Sequence, residues 1–350
     1  MPRPLLPAAQ AAIAAGLLAL LWHLADGAAM LEHLAQAHPG WLTAAVAALT
    51  AQTVLSALRW RLTADRLGIT LDRRTAVREY YLSQLVNQAL PGGVLGDAGR
   101  AVRSRAQAGL LASGQAVVFE RLAGQIALLL LFAAAVAGTL AVPGGFDWPG
   151  WLLSPVLLAL GSAGGGALLL ALAGARLPGR LGRAVAGPGR AFLRAAWAPG
   201  TRRRQAALSL GTATCNVAAF ACCAAAIGVP LPAATALALV PLILFTMLIP
   251  VTVSGWGLRE GAAVALLPLA GATAAEGLAA SVAFGLTVLA AALPGVVAVA
   301  IASSPRARPP PGDDAGRDML GRGGIVARAR PGFAMPAGPS RQHQRRARTS

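Results

Sequence analysis

The chain contains no lysine, so all 30 of its basic residues are arginine. Alongside abundant alanine, glycine and proline, that absence reads as a bias of genomic composition and carries no functional meaning. Charge is scarce as well. Only 12% of residues are charged, where a soluble domain carries about 25%. Aromatic residues make up 5%, which argues against an outer-membrane barrel with its aromatic girdles and alternating strands. The three cysteines, Cys215, Cys222 and Cys223, share one apolar stretch, form no CxxC pair and have no histidine cluster nearby. A disulfide framework and a zinc site are therefore disfavoured, and the thiols are expected to pack between helices. There is no Asp-rich metal pair, no HxxxD pattern and no nucleotide-binding loop, and His23 is the one histidine inside a span. No catalytic residue, no metal and no cofactor is assigned.

What the chain has is hydrophobicity. Of its 350 residues, 56% are hydrophobic, and the mean hydropathy is +0.62. Several windows of about 20 residues lack charge altogether, which is the signature of transmembrane helices. The fold class is all-α, a polytopic helical membrane protein. The formal charge of +17 would point to nucleic acid in a soluble protein. Here the arginines cluster between apolar segments, so the positive-inside rule accounts for them and no nucleic-acid partner is expected.

Six full spans are expected: Leu5–Leu24, Trp41–Leu58, Val117–Val142, Leu152–Ala173, Gln205–Ile227 and about Gly277–Ala302. The first lacks a small-residue cleavage pattern and reads as a retained helix. Gly161 to Gly166 is a run of small residues that would allow close helix contact. Two basic blocks set the orientation. Arg59 to Arg105 holds nine arginines against four acids, and Arg176 to Arg204 holds eight arginines and no acid. Both are expected in the cytoplasm, the second with an interfacial stretch around Ala191 to Trp197. The loops near Asp26–His38, Pro143–Asp147 and Gly228–Pro232 carry no arginine and are expected outside. Residues 1–302 form the transmembrane domain. Residues 303–350, with ten arginines and three aspartates among Pro and Gly, read as a disordered basic cytoplasmic tail, so both termini are placed in the cytoplasm. Anionic head groups of membrane lipids are the expected partners; the oligomeric state is not specified by the sequence.

Two segments break the helical pattern. The first is QLVNQALPGGVLGDAGRAVRSR, Gln84 to Arg105. A helix reaching Leu90 cannot run regularly through Pro91, and Gly92 and Gly93 permit unusual backbone angles. Gln84, Asn87 and Gln88 share one helical face. Both ends of this segment fall in arginine-rich sequence, which fits a half-helix that enters from the cytoplasm, turns and leaves by the same side. The second is PVTVSGWGLRE, Pro250 to Glu260. It lies between two outward connections, so the pair would approach the bilayer midplane from opposite faces, the arrangement of an inverted-repeat transporter site. About eight hydrophobic helices result, six spans and two re-entrant elements.

Ionisable side chains in apolar segments pair or face water. Asp97, Glu120, Arg121, Arg259 and Glu260 are such residues. One reading makes Glu120–Arg121 and Arg259–Glu260 buried ion pairs that hold helices together. The other lets the arginines meet an anionic head group, for which the planar guanidinium is suited, while the carboxylates fix their geometry. Asp97 after Gly96 reads first as a helix N-cap. Asn87 reads as the polar anchor of the first broken helix or as an interhelical hydrogen-bonding group. The tentative substrate-binding set is Asn87, Pro91, Gly92, Gly96, Asp97, Arg100, Glu120, Arg121, Ser254, Gly255, Gly257, Arg259 and Glu260.

Arg59-Trp60, then N-x-x-LPG-x-x-x-GD-x-x-R from Asn87 to Arg100, then Glu120-Arg121, then G-x-G-x-RE from Gly255 to Glu260, form a series. Together these motifs resemble the lysylphosphatidylglycerol synthase transmembrane, or flippase-like, family over about Leu5 to Ala302. The resemblance implies a membrane domain related to the flippase half of the multiple peptide resistance factor, which makes an aminoacylated phospholipid with a separate soluble domain and moves it across the bilayer. No sequence after Ala302 is expected to form an aminoacyl-transferase domain, so the synthase activity is not carried over. Three functions remain open at this point. The first is a lipid transporter of flippase type acting on a phospholipid or lipid-linked substrate. The second is a membrane-embedded lipid-modifying enzyme using Asp97, Glu120 or Glu260. The third is a scaffold recruiting a cytoplasmic partner.

Overall fold

The computed structural model describes residues 5–90, 93–142 and 146–297, with side chains from residue 8. Pro91 and Gly92, the 143–145 turn and the expected tail lie outside the described residues. Within them the protein is all-helical, with no strand. Helix α1 (Leu5–Leu24) turns by 91° into α2 (Gly27–Ala35). Asp26 makes that corner, with φ at 55° and its carboxylate accepting the Ala29 N–H. Then come α3 (Pro39–Asp65), α4 (Arg73–Ala89), α5 (Leu95–Ala141), α6 (Gly150–Arg176), α7 (Gly179–Ala196), α8 (Arg202–Ala226), α9 (Ala233–Phe245), α10 (Leu258–Leu266) and α11 (Ala274–Ala292). Five helices (α3, α5, α6, α8 and α11) are long and apolar enough to cross a bilayer, and the bent α1–α2 pair reaches that length and apolarity only when the two are taken together.

The frame is an antiparallel pair. The His38 N–H at the start of α3 donates to the Ala226 carbonyl at the end of α8, at 2.7 Å. At the other end the Gln205 side chain, early in α8, reaches the Thr63 hydroxyl near the end of α3. Buried alanines and threonines such as Ala45, Thr53, Ala57, Ala213 and Ala219 line these helices, and small side chains let helix backbones approach closely in lipid.

Each frame helix leads into a hairpin that does not cross. After α3, a seven-residue turn (66–72) brings the chain into α4. Asp72 caps α4 by accepting the Thr75 N–H, and its hydrogen bonds with Thr75 hold its carboxyl below the usual range. Helix α4 runs inward for 17 residues, about 25 Å, short of a bilayer core of about 30 Å. The chain then reverses, and the first limb of α5 returns to the same end. The Gln107 side chain there accepts the Thr70 N–H from the α3–α4 turn, at 2.7 Å. Gly109, at φ 81° and ψ 168°, breaks the helix at that point. The second limb, 110–141, then crosses.

The second half repeats the plan from the opposite end. After α8, a six-residue turn (227–232) leads into α9. A short 3-10 turn, Thr246–Leu248, continues it inward, and α10 and Leu267–Ala270 carry the chain back. Helix α11 begins there and crosses toward the arginine-rich end, where Pro294 and Val297 share a groove with Arg73 and Arg74. The expected inverted pair of re-entrant hairpins is what the helices form.

Several boundaries differ from the sequence reading. The first half-helix reaches back to Arg73, ahead of the Gln84–Arg105 segment, because Asp72 caps it there. The third span is the distal part of a 47-residue helix. The stretch expected at the interface forms the end of a longer helix, α7, which carries Arg180, Arg183, Arg190 and Arg194. Its Phe192 packs edge-on against Phe119 of α5, ring centroids 5.7 Å apart. The small-residue run of α6 does not serve helix contact within the chain, since a methyl added at Gly161, Gly164, Gly165 or Gly166 would meet open space. Of the cysteines, Cys223 is buried, while Cys215 and Cys222 are half-buried.

Candidate functional site

The two hairpin tips touch. The Ser254 hydroxyl donates to the Asn87 carbonyl at 2.8 Å, joining residues 167 positions apart. Local chemistry shapes both tips. At the first, the Asn87 side-chain oxygen accepts the Gly96 N–H at 2.8 Å and ties the end of α4 to the start of α5. Gly96 allows it, since a Cβ there would lie 2.0 Å from the Ser83 carbonyl oxygen. At the second, Ser254, Gly255 and Gly257 all hold positive φ, at 50°, 79° and 87°. The Glu260 carboxylate folds back to accept the Gly257 N–H at 2.6 Å, securing the first turn of α10.

Behind the first tip lies a buried charge cluster. Arg59 of α3 donates through Nη2 and Nε to Glu120 Oε1, at 2.6 and 3.2 Å. The Tyr80 hydroxyl donates to the same oxygen at 3.2 Å. Arg100 Nη2 reaches Glu120 Oε2 at 3.4 Å and Asp97 Oδ1 at 3.0 Å. The Ser83 hydroxyl also donates to Asp97, and Arg121 Nη2 sits 2.7 Å from Asp97 Oδ2. The Arg100 guanidinium lies 4.5 Å from the ring centres of both Trp60 and Tyr80. Gly124 leaves room for Arg59, since a Cβ there would lie 2.7 Å from its Nη2.

Two expectations are corrected here. Asp97 is not the N-cap of α5; Val94 occupies that position, and Asp97 instead joins Arg100, Arg121 and Ser83. Glu120 and Arg121 do not pair with each other. Adjacent residues on a helix point about 100° apart, so Glu120 turns to Arg59 and Arg100 while Arg121 turns to Asp97. The cluster couples α3, α4 and both limbs of α5.

The second half carries a smaller counterpart. Arg259 pairs with Glu260 and donates through Nε to the Ser281 hydroxyl at 3.0 Å. Its guanidinium lies 5.0 Å from the Trp256 ring and 5.4 Å from Phe284. Gly285 makes the space, since a Cβ there would lie 2.5 Å from Arg259 Nη2. In both halves a buried arginine from a hairpin stacks on aromatic rings and binds a carboxylate. In both, a glycine on a long crossing helix makes room for a guanidinium.

Between the two clusters is a cavity of about 270 Å³. Both tips line it, through Asn87, Gly93 and Ser254, with Met247 and Leu248 beside them. Among the described residues, Arg121 is the one charged side chain in the wall, and its side chain is 47% exposed. Of the residues singled out from sequence, Asn87, Arg121 and Ser254 reach the cavity. Asp97, Arg100 and Glu120 stand behind its wall, and Gly96, Gly255, Gly257, Arg259 and Glu260 shape the tips. Pro91 and Gly92 lie outside the described residues. Sequence reasoning placed none of Arg59, Trp60, Tyr80, Ser83 or Ser281 in the site, although Arg59-Trp60 opens the motif series. The adjacency Arg59-Trp60 in an apolar run was the available signal for the first pair.

The cluster is unbalanced. Arg59, Arg100 and Arg121 face Asp97 and Glu120, so three minus two leaves a formal +1. The unmatched groups are donors: Arg59 Nη1, Arg100 Nε and Nη1, Trp60 Nε1 and Asn87 Nδ2 are buried without a partner among the described residues. No group of histidine, cysteine and acidic side chains able to hold a metal ion occurs among the described residues.

Crossing helices, opposed hairpins and a polar cavity at their tips define a multi-pass membrane protein with a candidate site inside the helical domain. Residues 8–295 match the family model for the lysylphosphatidylglycerol synthase TM region, and the chain belongs to that family. No curated protein and no solved structure matches it.

Proposed function

We propose that the protein is a flippase-type lipid transporter that receives an anionic head group in the cavity between the hairpin tips. One observation carries the reading: the half-exposed Arg121 stands in the wall of a cavity lined by both tips. A guanidinium at membrane depth is costly unless it is paired or solvated. Here Asp97 holds it from one side, and its remaining N–H groups make no other hydrogen bond among the described residues, which leaves them for a phosphate. The opposed hairpins supply two half-sites on either side of one cavity, the plan by which rocking transporters alternate access. At about 270 Å³ the cavity sits just below the range of small-molecule sites, roughly 300–1,000 Å³. It admits a head group and leaves the acyl chains in lipid.

The arginine distribution supports an orientation. The α3–α4 turn, α7 and the start of α8 carry the basic blocks, so that end faces the cytoplasm under the positive-inside rule. Both termini then lie on the cytoplasmic side, and a bacterial inner membrane is the setting that fits. A lipid-modifying enzyme finds less support, because Asp97, Glu120 and Glu260 are each held by arginine. The test is translocation of fluorescent short-chain phospholipids in proteoliposomes. Wild type moves an anionic phospholipid, and Arg121→Gln does so at least tenfold more slowly. Equal rates in the two proteins would overturn the role given to Arg121.

A further inference from the structure

Among the described residues, the cavity wall contains one cation and no carboxylate, and it is dense in primary amides. Gln52, Gln84, Asn87, Gln88, Gln125 and Asn216 all line it, drawn from α3, α4, α5 and α8. Tyr80 and Ser254 add hydroxyls. Asn87 is 94% buried by its 6% exposure, its oxygen is taken by the Gly96 N–H, and its Nδ2 has no partner. The Gln84 oxygen accepts from Thr53, which leaves the Gln84 NH₂ free. Gln88, Gln125 and Asn216 show no side-chain partner among the described residues. Six amides in one small cavity are expensive to leave dry, because each brings two donors and an oxygen that must be matched.

Amides both donate and accept, so a cluster of them matches hydroxyl groups, which do the same. Arg121 supplies what a phosphate diester needs. A head group with a free ammonium needs an acceptor of full negative charge to offset its desolvation. The two carboxylates beside Arg121, Asp97 and Glu120, are already bound to Arg59, Arg100 and Arg121.

We infer that the site selects a lipid whose phosphate carries a neutral polyhydroxylated head, a polyol or a sugar, and that it discriminates against heads bearing an ammonium. The inference rests on the transport reading above and names the substrate class for it. The amides read the hydroxyls, Arg121 holds the phosphate, and the net positive cluster behind the wall rejects a second cation.

The test uses the full chain in proteoliposomes with four fluorescent short-chain probes: phosphatidylglycerol, phosphatidylinositol, phosphatidylethanolamine and lysyl-phosphatidylglycerol. Phosphatidylglycerol and phosphatidylinositol should move at least tenfold faster than the two ammonium lipids. Asn216→Leu and Gln125→Leu should erase most of that preference, and Gln125→Glu should raise the rate for phosphatidylethanolamine. Either Leu variant that reconstitutes suffices for the loss arm. Ammonium lipids moving as fast as the polyol lipids would overturn the selectivity while leaving the transport reading intact. No movement of any probe would overturn both. Free glycerol 3-phosphate is added as a competitor. Inhibition at the concentration of the lipid probe would assign the site to a soluble polyol phosphate and overturn the lipid source, whereas no inhibition supports it.

Discussion

Ser254 and Asn87 meet at 2.8 Å, hydroxyl to backbone carbonyl, and this bond joins the tips of two hairpins that enter from opposite ends. A backbone carbonyl at the open end of a half-helix must find a donor inside the membrane, where unsatisfied polar groups cost several kcal/mol. Ser254 supplies it from the other half of the molecule, held at φ 50°.

Removing that donor should loosen the tips without unfolding the bundle. Ser254→Ala is expected to cost about 1–3 kcal/mol, because it leaves the Asn87 carbonyl without its donor. Amide hydrogen exchange should rise in 84–96 and 250–258 and stay unchanged in α3 and α8. Uniform loss of protection across the frame helices would show that the bond supports the whole fold.

Glu120 accepts from Arg59, Arg100 and Tyr80 and is fully buried. Glu120→Ala leaves the buried Arg59 without a counter-charge and Arg100 with Asp97 alone. Breaking such a buried pair costs about 3–5 kcal/mol. Thermal unfolding in detergent should show a large drop in midpoint, with Glu120→Gln less affected because it keeps one acceptor. A midpoint within a degree or two of wild type for Glu120→Ala would contradict the central place given to this carboxylate.

Two glycine substitutions should behave oppositely. Gly96→Ala sets a methyl 2.0 Å from the Ser83 carbonyl oxygen and forces the hairpin limbs apart, at about 1–3 kcal/mol. Gly165→Ala on α6 meets open space and should be neutral, or stabilising by up to about 1 kcal/mol from helix propensity. Thermal midpoints of the two variants, measured side by side, check the difference.

Much of this was legible in the sequence, for particular reasons. Hydropathy marks α3, α6 and α8 because lipid imposes it. The run from Asn87 to Arg100 marks the first hairpin, because helices cannot pass Pro91 and because Gly96 is needed for close approach. Arginine placement gave the opposed entry of the hairpins, which the α3–α8 pairing and the Thr70–Gln107 bond bear out. What was not legible is which side chains meet. Glu120 and Arg121 are neighbours in sequence and strangers in space, since helix geometry sends them to different partners. Arg59 looked like a topology signal, yet it is 97% buried by its 3% exposure and carries the shortest bond to Glu120. The amides of Gln52, Gln125 and Asn216 are scattered over three helices, and only the packing of the frame collects them.

The most direct test of the account is lipid translocation by Arg121 variants in proteoliposomes. Arg121 is half-exposed in the cavity wall, so its variants should fold. The account predicts that Arg121→Gln moves a fluorescent anionic phospholipid at least tenfold more slowly than wild type, with an unchanged thermal midpoint, and that Arg121→Lys falls between them because it keeps the charge and loses the planar fork. Wild-type rates in a folded Arg121→Gln protein would contradict the claim that the cavity between the hairpin tips is where the lipid head group passes.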